Sequence, residues 1–158
     1  MQAQAQALYY QKCVETPAAR LTKGNEKKKS LLCSKLAQKA VDFYNSARSQ
    51  LETPTLSAIV NKAWNQHITY QIHVFTAMSQ YKQSEVDHEV AEETAEGYGL
   101  ELGRLAYAES QCMQALTLAT SLKMSEQKES ASSLLAKISS RYRERKADNV
   151  RKNIQHIF

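Results

Sequence analysis

The fold follows most directly from residues 32–51, which read LCSKLAQKAVDFYNSARSQL. In this stretch an apolar residue returns every three or four positions, the spacing that places side chains along one face of an α-helix. Glycine and proline, the residues that most often interrupt a helix, do not occur in it. We therefore predict a helix from Asn25 or Glu26 to about Leu51, with an apolar stripe formed by Leu32, Leu36, Ala40, Phe43, Ala47 and Leu51.

The composition extends this helical pattern to the whole chain of 158 residues, which contains 4 glycines and 2 prolines. Average usage at this length would give about 11 glycines and 8 prolines. A sheet of many strands needs many turns, and turns depend on glycine, proline, asparagine and aspartate. We therefore predict an all-α fold in which about five helices pack as antiparallel neighbours. Residues 1–158 are expected to form a single helical domain.

The helical pattern is interrupted at a few points, which set the expected bounds of the five segments. The first helix is expected over Gln2 to Val14, followed by a polar loop that holds Gly24. The third is expected to open near Thr55 or Ser57 and to continue to a turn at Gly97, and Ser125 is expected to cap the fifth. Small and aromatic residues recur at helical spacing in the third and fourth segments, as in tetratricopeptide helix pairs. They are Trp64, Tyr70, Ala77, Tyr81, Tyr98, Ala106, Ala108 and Ala115.

Charge is unevenly distributed along the chain, whose formal net charge is +5. Basic residues concentrate between Lys23 and Lys39 and between Arg141 and Lys152, with an acidic stretch from Glu85 to Glu96 between them. Charge runs on long helices are usually solvated faces, and we expect that here, with Tyr142 and Val150 as the few apolar anchors of the basic end. The alternative is a basic helical module that binds anionic membrane or nucleic acid through these ends. Nucleic acid is the less favoured ligand, because no aromatic residue interleaves with the first basic run.

No pattern in the sequence predicts catalysis, a cofactor or a metal site. His67 and His73 are six residues apart and do not share a helix face, and the glycines around Gly97 lack the spacing of a dinucleotide loop. Three cysteines, an odd number, are typical of reduced thiols in a cytoplasmic protein. Neither a membrane-spanning run nor the pattern of a signal peptide is present. We therefore expect a cytoplasmic protein that is not an enzyme.

Four blocks of sequence, in order along the chain, resemble the BRO1 domain family. The first, MQAQAQALYYQK at residues 1–12, is similar to the family's AQAQE helix, and the second, SKLAQKAVDFY at residues 34–44, to its AKLA helix. The third is Trp64, and the fourth, YGLELGRLAYA at residues 98–108, is similar to the family's YGEEIARL segment. The chain resembles the C-terminal half of such a domain, which implies a helical fold with tetratricopeptide-like pairs.

The resemblance also implies a function, since BRO1 domains are adaptors that bind the C-terminal amphipathic helix of an ESCRT-III subunit of the Snf7 type. This binding recruits them to endosomes or other membranes. The family's apolar binding patch falls here on Tyr9, Leu32 and Leu36, with Lys35 among the lysines expected at its rim. Leu32 and Leu36 lie one helical turn apart and would form part of a groove floor. The same two leucines also fit an ordinary core stripe, so both interpretations remain open at the level of sequence.

The resemblance covers only the C-terminal half of the family's domain, and this leads to one further expectation. Surface that the helices of the N-terminal half would cover is expected to be exposed here, so a homodimer through that surface is a second kind of partnership.

Overall fold

The computed structural model describes residues 1–16 and 23–155, and within these ranges it contains helices and no strand. The prediction of an all-α fold is confirmed. Five helices are long and one is a single turn. The elements are α1 (Gln2–Glu15), α2 (Lys23–Leu51), α3 (Pro54–Ser57), α4 (Lys62–Thr94), α5 (Tyr98–Ser121) and α6 (Ser125–Gln155).

The helix boundaries differ from the predicted ones at two connections. Gly24 lies inside α2 and not in a loop, while the predicted break at Pro17 falls outside the described residues. The third long helix begins at Lys62 because Asn61 caps it: the Asn61 side chain accepts a hydrogen bond from the backbone N–H of Ala63 at 3.0 Å. Residues 54–57 therefore form the short α3 and residues 58–61 a connection, whereas the sequence analysis predicted that the third helix opens near Thr55 or Ser57.

Each long helix packs against the next long helix along the chain, from α1 on α2 through to α6 on α5. This is the arrangement expected of antiparallel neighbours joined by short connections. At the α4–α5 turn, Gly97 has φ of 85°, a left-handed conformation that costs glycine little. Close packing does not explain Gly99 or Gly103, because a Cβ placed on either would meet no other atom within 4 Å.

The core of the N-terminal part lies between α1, α2 and α4. Phe75 of α4 stands edge-on to Tyr10 of α1 and stacks on Tyr44 of α2, with ring centroids 5.9 and 6.0 Å apart. The fully buried positions of α2 are Cys33, Ala37 and Ala40. The buried stripe is therefore shifted by about one residue from the predicted one, and the shift moves the Leu32 side chain out of the core.

Small residues form the contact between α4, α5 and α6, as the resemblance to tetratricopeptide pairs predicted. Ala77, Ala108 and Ala115 are completely buried in this part of the core, and a small side chain lets two helix backbones approach closely. Two predicted members do not belong to this packing: Ala106 is exposed, and the Trp64 side chain is 66% exposed.

Candidate partner-binding groove

Two helices place an apolar groove on one side of the molecule. The residues of α1 that line the groove lie three or four positions apart, so they share one face of that helix. The lining residues of α2 follow the same spacing. The groove has a volume of about 710 Å³. It is lined by Tyr9, Lys12, Cys13, Thr16, Asn25, Lys28, Lys29, Leu32 and Leu36.

Three of the residues that the sequence analysis singled out, Tyr9, Leu32 and Leu36, meet in this groove. The side chains of Tyr9 and Leu32 are 61% and 52% exposed. Both line the groove and give it large apolar surface that water can reach. Leu36 is half-buried and packs against the core between α1, α2 and α4. The two interpretations therefore apply to different residues. Leu32 lies in the groove, and Leu36 belongs to both the groove and the core.

The lysines around the groove differ in what their ammonium groups contact. Lys29 donates hydrogen bonds to the backbone carbonyls of Val14 at 3.1 Å and Thr16 at 2.5 Å. These carbonyls lie at the C-terminal end of α1, where a cation also interacts favourably with the helix dipole. Lys12 and Lys28 are exposed and line the groove, whereas Lys35 is exposed on α2 but does not line it.

Sequence reasoning missed Lys12 and Cys13. Their signal was present in the spacing, because both follow Tyr9 by three or four residues on α1. Cys13 is half-buried and contributes both to the groove and to the packing of the core beneath it. Cys33, which belongs to that core, is 1% exposed. Burial raises the pKa of the Cys33 thiol to about 12, and the neighbouring thiol of Cys13 adds to this effect.

A network of ion pairs connects α4 and α5 to the basic helix α6. The carboxylate of Glu101, whose side chain is 3% exposed, lies at the start of α5. Its Oε1 is 3.2 Å from Nε of Arg145 and 3.6 Å from Nη2 of Arg141, and its Oε2 is 2.9 Å from Nδ1 of His88. Arg141 also lies 3.8 Å from a carboxylate oxygen of Glu85.

This network overturns the expectation that the basic end of the chain is a solvated face. Arg141 and Arg145 are mostly covered and ion-paired, and Lys152 is hydrogen-bonded to Glu92. The expectation fails because the charges of α6 face those of α4 and α5, which a pattern within one helix cannot reveal. It holds for Arg143, which is exposed. Val150 was expected to anchor the helix, yet it is 52% exposed.

The ion pairs of α6 also weaken, for this end of the chain, the alternative of a basic module for anionic membrane or nucleic acid. Arginines and lysines that neutralise carboxylates of their own chain are less available to phosphate groups. In the described ranges, no helix has the length and apolarity needed to cross a bilayer. The same ranges contain no group of three or more histidine, cysteine or acidic residues that could hold a metal ion.

Comparison with known proteins gives one family and one curated relative. The BRO1-like domain family matches residues 1–151. The vacuolar protein-sorting protein BRO1 of Gibberella zeae is 31% identical over 121 residues, which are 77% of this chain and 11% of that protein. The chain thus spans about a tenth of the length of this relative. No solved structure matches the chain.

Proposed function

The chain belongs to the BRO1-like domain family, and from this membership we propose that it is a non-enzymatic adaptor that binds an ESCRT-III subunit. The proposed ligand is the C-terminal amphipathic helix of a Snf7-type subunit, laid apolar face down in the α1–α2 groove. The observation that carries the proposal is the exposure of Tyr9 and Leu32 in one groove between two helices. A vacuolar protein-sorting relative agrees with a role in endosomal sorting.

The shape of the groove suits a helix better than an extended peptide. An amphipathic helix presents apolar side chains at i, i+3, i+4 and i+7, and a groove between two packed helices receives such a ridge. Covering the exposed parts of Tyr9 and Leu32 would contribute about 25 cal/mol for each Å² of apolar surface removed from water. The Tyr9 hydroxyl requires a polar partner or water when a helix covers it.

The charges at the groove favour an acidic partner. Lys12 and Lys28 are exposed at the lining and carry no ion pair among the described residues. They would increase the rate at which an acidic helix associates more than its final affinity. Lys35, which the sequence analysis expected at the rim of the patch, would act from outside the groove lining.

The decisive experiment compares two leucine-to-aspartate variants of similar exposure. Leu32→Asp places a charge in the groove, whereas Leu100→Asp places the same charge on α5, where Leu100 is 63% exposed. A charge covered by the partner helix must lose its hydration. We expect Leu32→Asp to weaken binding of a synthetic Snf7-type C-terminal helix by about tenfold or more, which is at least about 1.4 kcal/mol. Leu100→Asp should change the affinity by less than about twofold.

The measurement is the dissociation constant by calorimetry, with circular dichroism to verify that both variants are folded. Equal affinities for the two variants would reject the groove as the binding site. Repeating the titration between 50 and 200 mM salt distinguishes the alternative function. Binding to phosphate groups would fall by orders of magnitude over that range, and apolar binding would change little.

Three further expectations belong to the same proposal. The adaptor would reach the cytoplasmic face of endosomes or other membranes through its ESCRT-III partner. Residues 1–158 would act as one helical domain resembling the C-terminal half of a BRO1 domain. A homodimer would appear in light scattering as a doubling of the 17.9 kDa mass.

A further inference from the structure

Two cysteines belong to the packing of α1 on α2 at the groove, and the Cys13 thiol is near enough to Cys33 to raise its pKa. Cys13 of α1 lines the groove and packs against the core cluster that contains Cys33 of α2. The Cys33 side chain is almost completely buried, and that of Cys13 is half-buried. One sulfur can therefore be reached from the groove, and the second lies behind it.

We propose that Cys13 is a site of oxidative modification, at which hydrogen peroxide produces a reversible Cys13–Cys33 disulfide that tethers α1 to α2. The proposal stands apart from the binding function, because it concerns the protein without a partner. In reducing compartments such disulfides are transient and sensory, not structural.

The order of the two steps follows from access. The Cys13 sulfur attacks one oxygen of the peroxide and breaks the O–O bond, which gives a sulfenic acid and one water. The Cys33 sulfur then attacks the Cys13 sulfur, the S–O bond breaks, and the departing hydroxide takes the Cys33 proton to form the second water. Two thiols thus lose two electrons and two protons to one peroxide.

Burial of Cys33 excludes an oxidant from solution, so this thiol cannot take the first step. Its raised pKa leaves little thiolate, so its attack on Cys13 depends on the two side chains being close together. A sulfenic acid formed on the adjacent Cys13 would be held next to it at high effective concentration.

The third cysteine is a matched control within the same chain. Cys112 is completely buried in the core between α4, α5 and α6, and its Sγ lies 3.2 Å from the backbone carbonyl oxygen of Ala131. It belongs to a different core cluster from Cys13 and Cys33. Peroxide should leave this thiol unchanged.

The experiment treats the folded full chain with a small excess of hydrogen peroxide and maps it with trypsin without reduction. The sequence separates the three thiols into peptides 13–20, 30–35 and 105–123. We expect a linked pair of peptides 13–20 and 30–35, a fall in free thiols from three to one, and full reversal by dithiothreitol. Cys112→Ser should give the same linked pair, and the oxidised protein should melt at a higher temperature than the reduced one.

In Cys33→Ser, the sulfenic acid on Cys13 has no partner and should persist long enough for trapping with dimedone. If three thiols remain in the wild-type protein, the proposal is wrong. Over-oxidation of Cys13 with Cys33 still free, or dimers linked through Cys13, would overturn it as well. All of these measurements use the protein alone, so they are independent of whether the groove binds an ESCRT-III helix.

Discussion

Nε of Arg145 lies 3.2 Å from Oε1 of Glu101, and this contact joins the basic end of α6 to the first turn of α5. Glu101 is almost completely buried, so its negative charge needs compensation from within the protein. The N-terminal end of α5 supplies part of it through the helix dipole. The rest comes from Arg141, Arg145 and, when protonated, His88.

Arg145→Ala should therefore destabilise the protein, although arginines of helix ends often contribute little. The variant leaves the buried carboxylate of Glu101 with one arginine instead of two. We expect a loss of about 1–3 kcal/mol in the free energy of unfolding, measured by urea denaturation. The loss stays below that of a fully uncompensated charge because Arg141 remains 3.6 Å away.

Arg143→Ala is the control, since Arg143 lies two residues earlier on α6 and is exposed. Its Nε donates only to the carbonyl of Ser139, one turn earlier on the same helix, at 3.3 Å. We expect this variant to cost less than about 0.5 kcal/mol. Equal losses for the two arginines would show that the contact with Glu101 does not stabilise the docking of α6.

Aspartate substitutions at the two leucines of the groove should differ in their effect on the free energy of unfolding. Leu36→Asp removes part of the core between α1, α2 and α4 and places a charge against it, so we expect a loss of about 2–4 kcal/mol. Leu32→Asp acts on a side chain that is 52% exposed and should cost less than about 1 kcal/mol. Thermal melts of both variants decide the matter, and an intact melting temperature for Leu36→Asp would assign Leu36 to the groove alone.

The helical fold could be predicted because its signals are local. Apolar spacing along α2 and the scarcity of glycine and proline are properties of neighbouring residues. The start of α4 was missed because it depends on a side-chain cap by Asn61, which competed with the proline signal at Pro54. Each of these features can be read within one or two helical turns.

The groove and the ion pairs could be predicted only in part, because they depend on how helices face each other. The spacing of Leu32 and Leu36 is the same in a core stripe and in a groove, and the one-residue shift of the buried face of α2 separates them. The partners of Arg141 and Arg145 lie 40 or more positions earlier in the sequence, at Glu101 and Glu85. No single-helix pattern identifies such pairs.

Ala108→Leu tests the close packing of α5. Ala108 is completely buried at the contact with α4 and α6, so three added carbon atoms have no space without displacement of a helix. We expect a loss of about 1–3 kcal/mol in the free energy of unfolding. Ala106→Leu makes the same change two residues earlier, at an exposed position, and should stay within about 0.5 kcal/mol of the wild type. Similar losses for both would contradict close packing at Ala108.

The free energy of unfolding should also fall in alkaline solution, and the buried thiol of Cys112 makes a contribution that can be measured separately. Burial raises the pKa of the Cys112 thiol from its ordinary value of 9.0 to about 11. Between these two values the unfolded chain has lost the thiol proton while the folded protein retains it. Because the folded state then binds more protons, stability decreases as the pH rises. The contribution is complete below pH 9 and is lost progressively as the pH approaches 11.

Other buried thiols and phenols, such as Cys33 and Tyr44, add to the total decline, so the wild type alone is not sufficient. Cys112→Ser removes only the titration at position 112, because a serine hydroxyl does not ionise in this range. We expect the stability advantage of the wild type over this variant to shrink by about 2 kcal/mol between pH 8 and pH 11, at 1.36 kcal/mol for each pKa unit. Urea denaturation at pH 8, 9, 10 and 11 measures it. An advantage that stays constant with pH would mean that Cys112 is not protonated preferentially in the folded state, and its burial against Ala131 would have to be reconsidered.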